Sequence, residues 1–199
     1  VGFVGFLIAC AIAYFGSAIV TYFFGYSDDM LPKKEEKKEE PQEIIPAKDE
    51  ALLAPVSGKV IPLSEVSAEA FAGGILGQGA AVIPENGEIC APCDGVISVM
   101  YPTGHAVGIK SDIGAEILIH VGMDTVTLNG SCFDVKVKAG DHVKAGQLLV
   151  RANIEGIKKE GLDITTPVIV ANTADYMQIK MAAEKSVKRG EVLLNCVSK

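Results

Sequence analysis

The sequence contains no tryptophan, and aromatic residues make up only 6% of its 199 positions. That scarcity argues against a surface that stacks nucleobases, which is built from aromatic faces. Basic residues are also outnumbered: 18 Lys and Arg against 25 Asp and Glu leave a net charge of −7. Nucleic-acid affinity comes largely from counterions released by clustered Lys and Arg, so no nucleic-acid partner is expected. A basic protein partner is compatible with this charge. Cysteine is sparse and odd in number: Cys10, Cys90, Cys93, Cys132 and Cys196. Such a count in a long chain does not suggest a secreted disulfide framework, and a reducing compartment fits better. Histidine is scarcer still. Any imidazole chemistry falls to His105, His120 or His142.

What the sequence does have is strongly segmented. Val1–Tyr26 carries no charged residue, and about 20 apolar residues span a bilayer. Gly2, Gly5, Gly16 and Gly25 suit close helix packing in a membrane, while Tyr22, Phe23, Phe24 and Tyr26 resemble an interfacial belt. The run lacks the basic start of a signal peptide. The chain opens on Val1 already inside this run, so it is read as the C-terminal part of a longer protein. Lys33, Lys34, Lys37 and Lys38 follow the run and place the C-terminal side in the cytoplasm. The expectation is a transmembrane helix over 1–27 and a charged flexible linker over 28–50, which is too polar to order itself. A folded domain over 51–199 follows. The location is then the cell membrane, with that domain on the cytoplasmic side.

From Ala51 onward, short apolar runs alternate with Gly, Pro, Asn and Asp. The pattern predicts strands at Gly58–Leu63, Ala80–Pro84, Gly95–Tyr101, Ala106–Lys110 and Glu116–His120, then at Phe133–Val137, Gln147–Ala152, Pro167–Ala171 and Glu191–Val197. Ile154–Gly161 and Thr173–Met177 read as short helical turns. The fold class is all-β, an antiparallel sandwich or barrel. Two internal echoes suggest duplication: Ala54-Pro55-Val56-Ser57-Gly58 with Ala91-Pro92-Cys93-Asp94-Gly95, and Val137–Val143 with Val187–Val192.

His120 closes the apolar run Ile117-Leu118-Ile119 and opens His120-Val121-Gly122-Met123-Asp124-Thr125-Val126. Neutral imidazole is a competent nucleophile near pH 7. Burial among Leu118, Val121 and Val126 would keep it uncharged. A flexible Gly122 would let its carbonyl receive Nδ1–H, which would leave the Nε2 lone pair free. A satisfied core histidine is the competing reading of the same residue. His105 lies in Tyr101-Pro102-Thr103-Gly104-His105, a turn that puts Thr103 and His105 at its end. If its strand pairs with that of His120, the two rings face each other. His105 and the Thr103 hydroxyl would then donate hydrogen bonds to phosphoryl oxygens. His142 reads as an exposed turn position without a catalytic role.

The segments ALLAPVSGKVIPL, VISVMYPTGHAVGI, EILIHVGMDTV and VKAGQLLV resemble the glucose-type enzyme IIA domain of the bacterial sugar phosphotransferase system. The resemblance covers essentially all of 51–199. It implies an antiparallel β-sandwich built on a duplicated hybrid motif. It also implies a phosphotransferase with His120 as the phosphorylated histidine, His105 as its partner and Thr103 as a phosphate-proximal hydroxyl. Phe71, Ile75, Leu76, Leu118 and Val126 match the apolar rim where protein partners dock. The implied donor is phospho-HPr and the acceptor a cysteine of an enzyme IIB domain. The membrane run would be the last helix of an attached IIC channel, in a fused IIBCA-type permease. No cofactor or metal is required, because the group moves between side chains.

Other motifs are weaker. Cys90-Ala91-Pro92-Cys93 mimics a redox pair but precedes a strand rather than a helix, and a lone C-x-x-C is short of ligands for zinc. Gly73–Gly79 lacks the G-x-G-x-x-G order and the G-K-[ST] ending of nucleotide loops. A biotinyl or lipoyl carrier is the alternative from another class, with Lys180 of Ile179-Lys180-Met181 as the modified residue. Such modules are about half this length. A purely regulatory binding domain is the third reading.

Overall fold

The computed structural model describes residues 48–182 and 185–199. The expected membrane helix and nearly all of the expected linker lie outside the described residues. Among the described residues, no helix is long and apolar enough to cross a membrane.

The domain is all-β. Its strands are β1 (Glu50–Leu53), β2 (Gly58–Pro62), β3 (Gln78–Pro84), β4 (Glu88–Cys90), β5 (Gly95–Met100), β6 (Ala106–Ser111) and β7 (Glu116–His120). They continue as β8 (Phe133–Val135), β9 (His142–Val143), β10 (Leu148–Ala152), β11 (Thr166–Val170), β12 (Tyr176–Met181), β13 (Ser186–Val187) and β14 (Val192–Ser198). Two short helices interrupt them, α1 (Glu69–Ala72) and α2 (Ile154–Lys159). All nine strands expected from the residue pattern form, within one or two residues of their expected ends.

Five strands were not expected. Among them β4, β9 and β13 have only two or three residues, too few for any periodicity to show. β1 begins at Glu50, the last residue read as linker. The helical turn expected over Thr173–Met177 stops at Asp175. Tyr176 is buried, pairs with Ser198 and starts β12 instead.

Every strand pair is antiparallel. An eight-stranded sheet runs β13-β2-β3-β11-β7-β6-β5-β9, beside two three-stranded sheets, β1-β14-β12 and β4-β10-β8. The large sheet reads alike from either end. At its centre, Ile169 of β11 lies opposite Leu118 of β7. The two small sheets correspond in the same way.

Backbone bonds repeat across the halves. Leu53 N–H donates to Pro92 O at 2.8 Å, and Cys90 N–H donates to Pro55 O at 2.9 Å. The second echo needs a correction. Val187–Glu191 corresponds to Val143–Gln147, because both segments follow the short strands that pair with β2 and β5. Val137–Asp141 is a third copy of the same turn. In all three, the Lys N–H donates to the side chain three residues on: Asp141, Gln147 and Glu191, at 2.9–3.1 Å. A turn used three times cannot reveal from spacing alone which two copies are related.

Alternation in β7 separates two cores. Ile117 and Ile119 are buried in the main core with Val107, Ile109 and Val168. Leu118 and His120 therefore face the other side, since side chains alternate along a strand. That side has its own smaller core, where Ile61, Leu63, Val66, Phe71 and Ile169 pack with Leu118. The segment from Leu63 through α1 forms this cover over the sheet. Burying a side chain such as Phe71 contributes about 1.5–3 kcal/mol, which holds the cover down next to His120.

Candidate functional site

β6 and β7 pair with Ala106 opposite His120. Val121 N–H donates to the His105 carbonyl at 2.7 Å. These bonds bring the two histidines to neighbouring strand ends, with ring centroids 5.0 Å apart and planes at 76°. Phe71 sits edge-on to His120 at 5.2 Å, and Tyr101 edge-on to His105 at 5.4 Å. The four rings form one row, each meeting the next at an angle favoured by aromatic quadrupoles.

His120 is half-buried and its tautomer is determined by a single bond. Nδ1 lies 2.7 Å from the Gly122 carbonyl oxygen. A carbonyl only accepts, so Nδ1 carries the hydrogen and Nε2 holds the lone pair. Burial holds the His120 pKa below the ordinary histidine value, and His105 pushes the same way, while the Gly122 bond and Asp124 oppose them and do not prevail. Gly122 adopts φ +74°, and a Cβ there would lie 2.6 Å from Thr125 Cγ2 and 2.8 Å from Asp163 O. Only glycine fits.

His105 is 6% exposed, and burial lowers its pKa as well. Its Nδ1 lies 2.5 Å from Thr103 Oγ1. Thr103, expected to reach a phosphoryl group itself, has its hydroxyl engaged by His105.

The five apolar residues expected at a docking rim divide into two groups. Ile75 is 78% exposed and Val126 50%, and Leu76 is also open. Phe71 is buried and Leu118 partly so, both packed in the smaller core rather than open to solvent. Tyr101, outside those five, is exposed and lies edge-on to His105. Its signal was an aromatic residue directly ahead of the Pro-Thr-Gly-His turn.

The remaining candidates lie elsewhere. His142 is in β9, exposed, with Nε2 2.9 Å from Asp112 Oδ1. Asp112 follows the end of β6 opposite to Ala106, so His142 does not join the pair. Cys90 and Cys93 are buried, and burial pushes both thiols up, away from the thiolate that redox chemistry uses. Lys180 lies within β12, paired with Asn195, and not at the tip of a turn where a carried group would need to swing. In Gly73–Gly79, a Cβ at Gly77 would lie 2.2 Å from Val170 O, so that glycine serves close backbone packing against β11. Among the described residues, no group of three or more His, Cys, Asp or Glu is placed to hold a metal ion.

Comparison with known proteins is consistent with this geometry. Residues 50–176 match the family described as phosphoenolpyruvate-dependent sugar phosphotransferase system, EIIA 1. The chain is 43% identical over 145 residues to a "PTS system beta-glucoside-specific EIIBCA component" of Halalkalibacterium halodurans, covering 73% of this chain and 23% of that protein. The protein of the same description from Bacillus subtilis is 38% identical over 188 residues, covering 94% of this chain and 30% of its own length. That from Dickeya chrysanthemi is 39% identical over 150 residues, covering 75% and 24%. The chain thus spans less than a third of the length of these curated relatives. Among solved structures, the glucose permease IIA from Mycoplasma capricolum is similar at a TM-score of 0.70 and 35% identity, covering 74% of this chain and 96% of that one.

Proposed function

This chain belongs to the phosphoenolpyruvate-dependent sugar phosphotransferase system EIIA 1 family, and we propose that within it His120 is the phosphoryl acceptor. The observation that carries the proposal is the bond from His120 Nδ1–H to the Gly122 carbonyl, which leaves the Nε2 lone pair to react. The depressed pKa keeps the ring neutral at working pH, as a nucleophile must be.

The step balances simply. Nε2 of His120 forms a bond to phosphorus while the P–N bond to the donor's phosphohistidine breaks, and that electron pair returns to the donor's ring. His120 gains positive character as it bonds, and the Gly122 carbonyl opposite Nδ1–H stabilises the charge as it develops. His105 then needs a hydrogen on Nε2 to stabilise the phosphoryl oxygens. Thr103, whose hydroxyl lies within hydrogen-bond reach of His105 Nδ1, would supply that arrangement by donating its hydrogen there. Thr103 in this account is a positioning residue for His105.

The partners follow from the family and its relatives. The donor is phospho-HPr, and the acceptor is a cysteine of a IIB domain. The relatives named EIIBCA components support a fused permease, in which this domain would serve a IIC channel from the cytoplasmic side of the membrane. The whole protein would take up and phosphorylate a sugar, and β-glucosides are the class carried by those relatives' names. Ile75, Leu76, Val126 and Tyr101 would receive both protein partners in turn.

Incubation with enzyme I, HPr and phosphoenolpyruvate tests this directly. Intact mass should show one acid-labile phosphoryl group on the wild-type chain and none on His120→Ala. Full labelling of His120→Ala would overturn the assignment.

A further inference from the structure

The Gly122 carbonyl belongs to a peptide plane whose other end is also held. Met123 N–H, in that same plane, donates to the Asp163 carbonyl at 2.8 Å. A trans peptide points its C=O and N–H in opposite directions and resists twisting. Gripping one end therefore aims the other. Three groups lie in series: His120 Nδ1–H donates to Gly122 O, and across that peptide Met123 N–H donates to Asp163 O. Bonds in such a series polarise one another.

Asp163 is in turn fixed by its own side chain. Oδ1 accepts the Thr165 N–H at 2.8 Å and the Thr165 hydroxyl at 2.7 Å. Thr165 is buried at 5% exposure just before β11, so the loop is tied to the sheet that carries His120. Oδ2 lies 3.5 Å from the Ser67 hydroxyl, in the cover segment that brings Phe71 against His120.

We propose that Asp163 is a positioning residue for His120, fixing the imidazole tautomer and angle through the Gly122–Met123 peptide. This rests on His120 being the phosphoryl acceptor. The role does not depend on the Asp163 charge reaching the ring: its carboxylate orders the loop, and its carbonyl holds the plane. The predicted signature is a loss of chemical step without loss of partner binding.

The test compares Asp163→Ala, Asp163→Asn and Thr165→Val in the same chain. Asp163→Ala removes the acceptor for both Thr165 donors, while Asn keeps an oxygen there. The expected result for Asp163→Ala is a turnover with phospho-HPr about threefold to tenfold slower, the size of one or two lost hydrogen bonds. KM should change by less than about twofold. Nitrogen NMR of the His120 ring should show Nδ1–H partly lost to the other tautomer. Asp163→Asn should restore both, and Thr165→Val, which keeps the N–H bond, should fall between. Unchanged turnover and unchanged ring signals in Asp163→Ala would overturn the proposal. So would equal losses in the Ala and Asn variants, which would assign the effect to charge. If Asp163→Ala fails to fold, Thr165→Val decides by the same two readings. The ring signals do not require transfer, so a tautomer shift in a chain that never accepts phosphate would refute the functional reading and leave the positioning role standing.

Discussion

The two halves of the domain share a backbone arrangement almost bond for bond. Ala54 N–H donates to Glu191 O at 2.7 Å, and Ala91 N–H to Gln147 O at 2.8 Å. Gly190 N–H returns to Ala54 O, and Gly146 N–H to Ala91 O. Arg189 N–H finds Ser57 Oγ where Ala145 N–H finds Asp94 Oδ1. Yet only one half carries the histidine pair. Two residues beyond the central pair Leu118 and Ile169 stand His120 in one half and Ala171 in the other. Two further residues on stand Gly122 and Thr173. Where Gly122 offers a carbonyl to an imidazole, Thr173 closes its own strand end by donating to Val170 O and accepting Gln78 N–H. The frame is thus indifferent to the chemistry. On the proposed reading, the reactive site is two side chains and one turn placed on a scaffold that recurs in the other half without them.

The sharpest way to break that comparison is to move the histidine. Ala171 is exposed, so His120→Ala combined with Ala171→His should fold and yet take up no phosphoryl group from phospho-HPr. Intact mass after incubation with the donor checks it. Labelling of this double variant at the introduced imidazole would mean that the strand end suffices and that the Gly122 turn and His105 add nothing.

The next effect isolates the second ring. His105→Gln should slow transfer by about 10²–10³-fold, the usual loss when one preorganised donor to a charged transition state is removed. The half without histidines predicts that the frame tolerates the change, so thermal unfolding should move little. A normal transfer rate would assign His105 to packing.

Acidity separates the halves next. Burial depresses the pKa of both His120 and His105 below their ordinary 6.5. The transfer rate should therefore begin to fall at a lower pH than it would for an unburied imidazole, because the neutral ring attacks. The same shift links to stability. Between 6.5 and the lower folded values the unfolded chain binds more protons, so stability falls as pH falls through that window. His120→Ala should weaken this dependence, and Ala171→Ser should leave it intact. Denaturant melts across that range read both.

The sequence carried most of this frame. Alternation and turn residues located nine strands, and the Ala-Pro-x-x-Gly echo located the duplication, because β2 and β5 leave the same turn in each half. What it did not carry has physical causes. β9 and β13 are two residues long and exist only through partners distant in the chain. Tyr176 became a strand residue because tertiary burial outweighed local turn propensity. The meeting of His120 with His105 and Gly122, and of His105 with Thr103, was legible because these residues lie in two short motifs, while the roles expected of them came from the family resemblance. Phe71 could be read as apolar but not as buried, since its cover segment packs against β7 from a distant stretch of the chain. The Asp163 contact is a backbone acceptor, and a backbone carbonyl leaves no trace in residue type.

The smallest expected effect concerns the frame itself. Gln147 and Glu191 occupy matching turns, each accepting a Lys N–H through its side chain at 3.1 and 2.9 Å. Both are exposed, so truncation to Ala exchanges each bond for water and costs about 0.5–1 kcal/mol. For a domain of this size that is a fall in Tm of about 1–4 °C. Their turns flank strands at opposite ends of the eight-stranded sheet, so the double variant should add to within about 0.5 kcal/mol. Transfer to His120 should not change in any of the three. If Gln147→Ala cost much more than Glu191→Ala, the half bearing the histidines would be under a strain that its counterpart lacks, and the scaffold would no longer be indifferent to the site it carries.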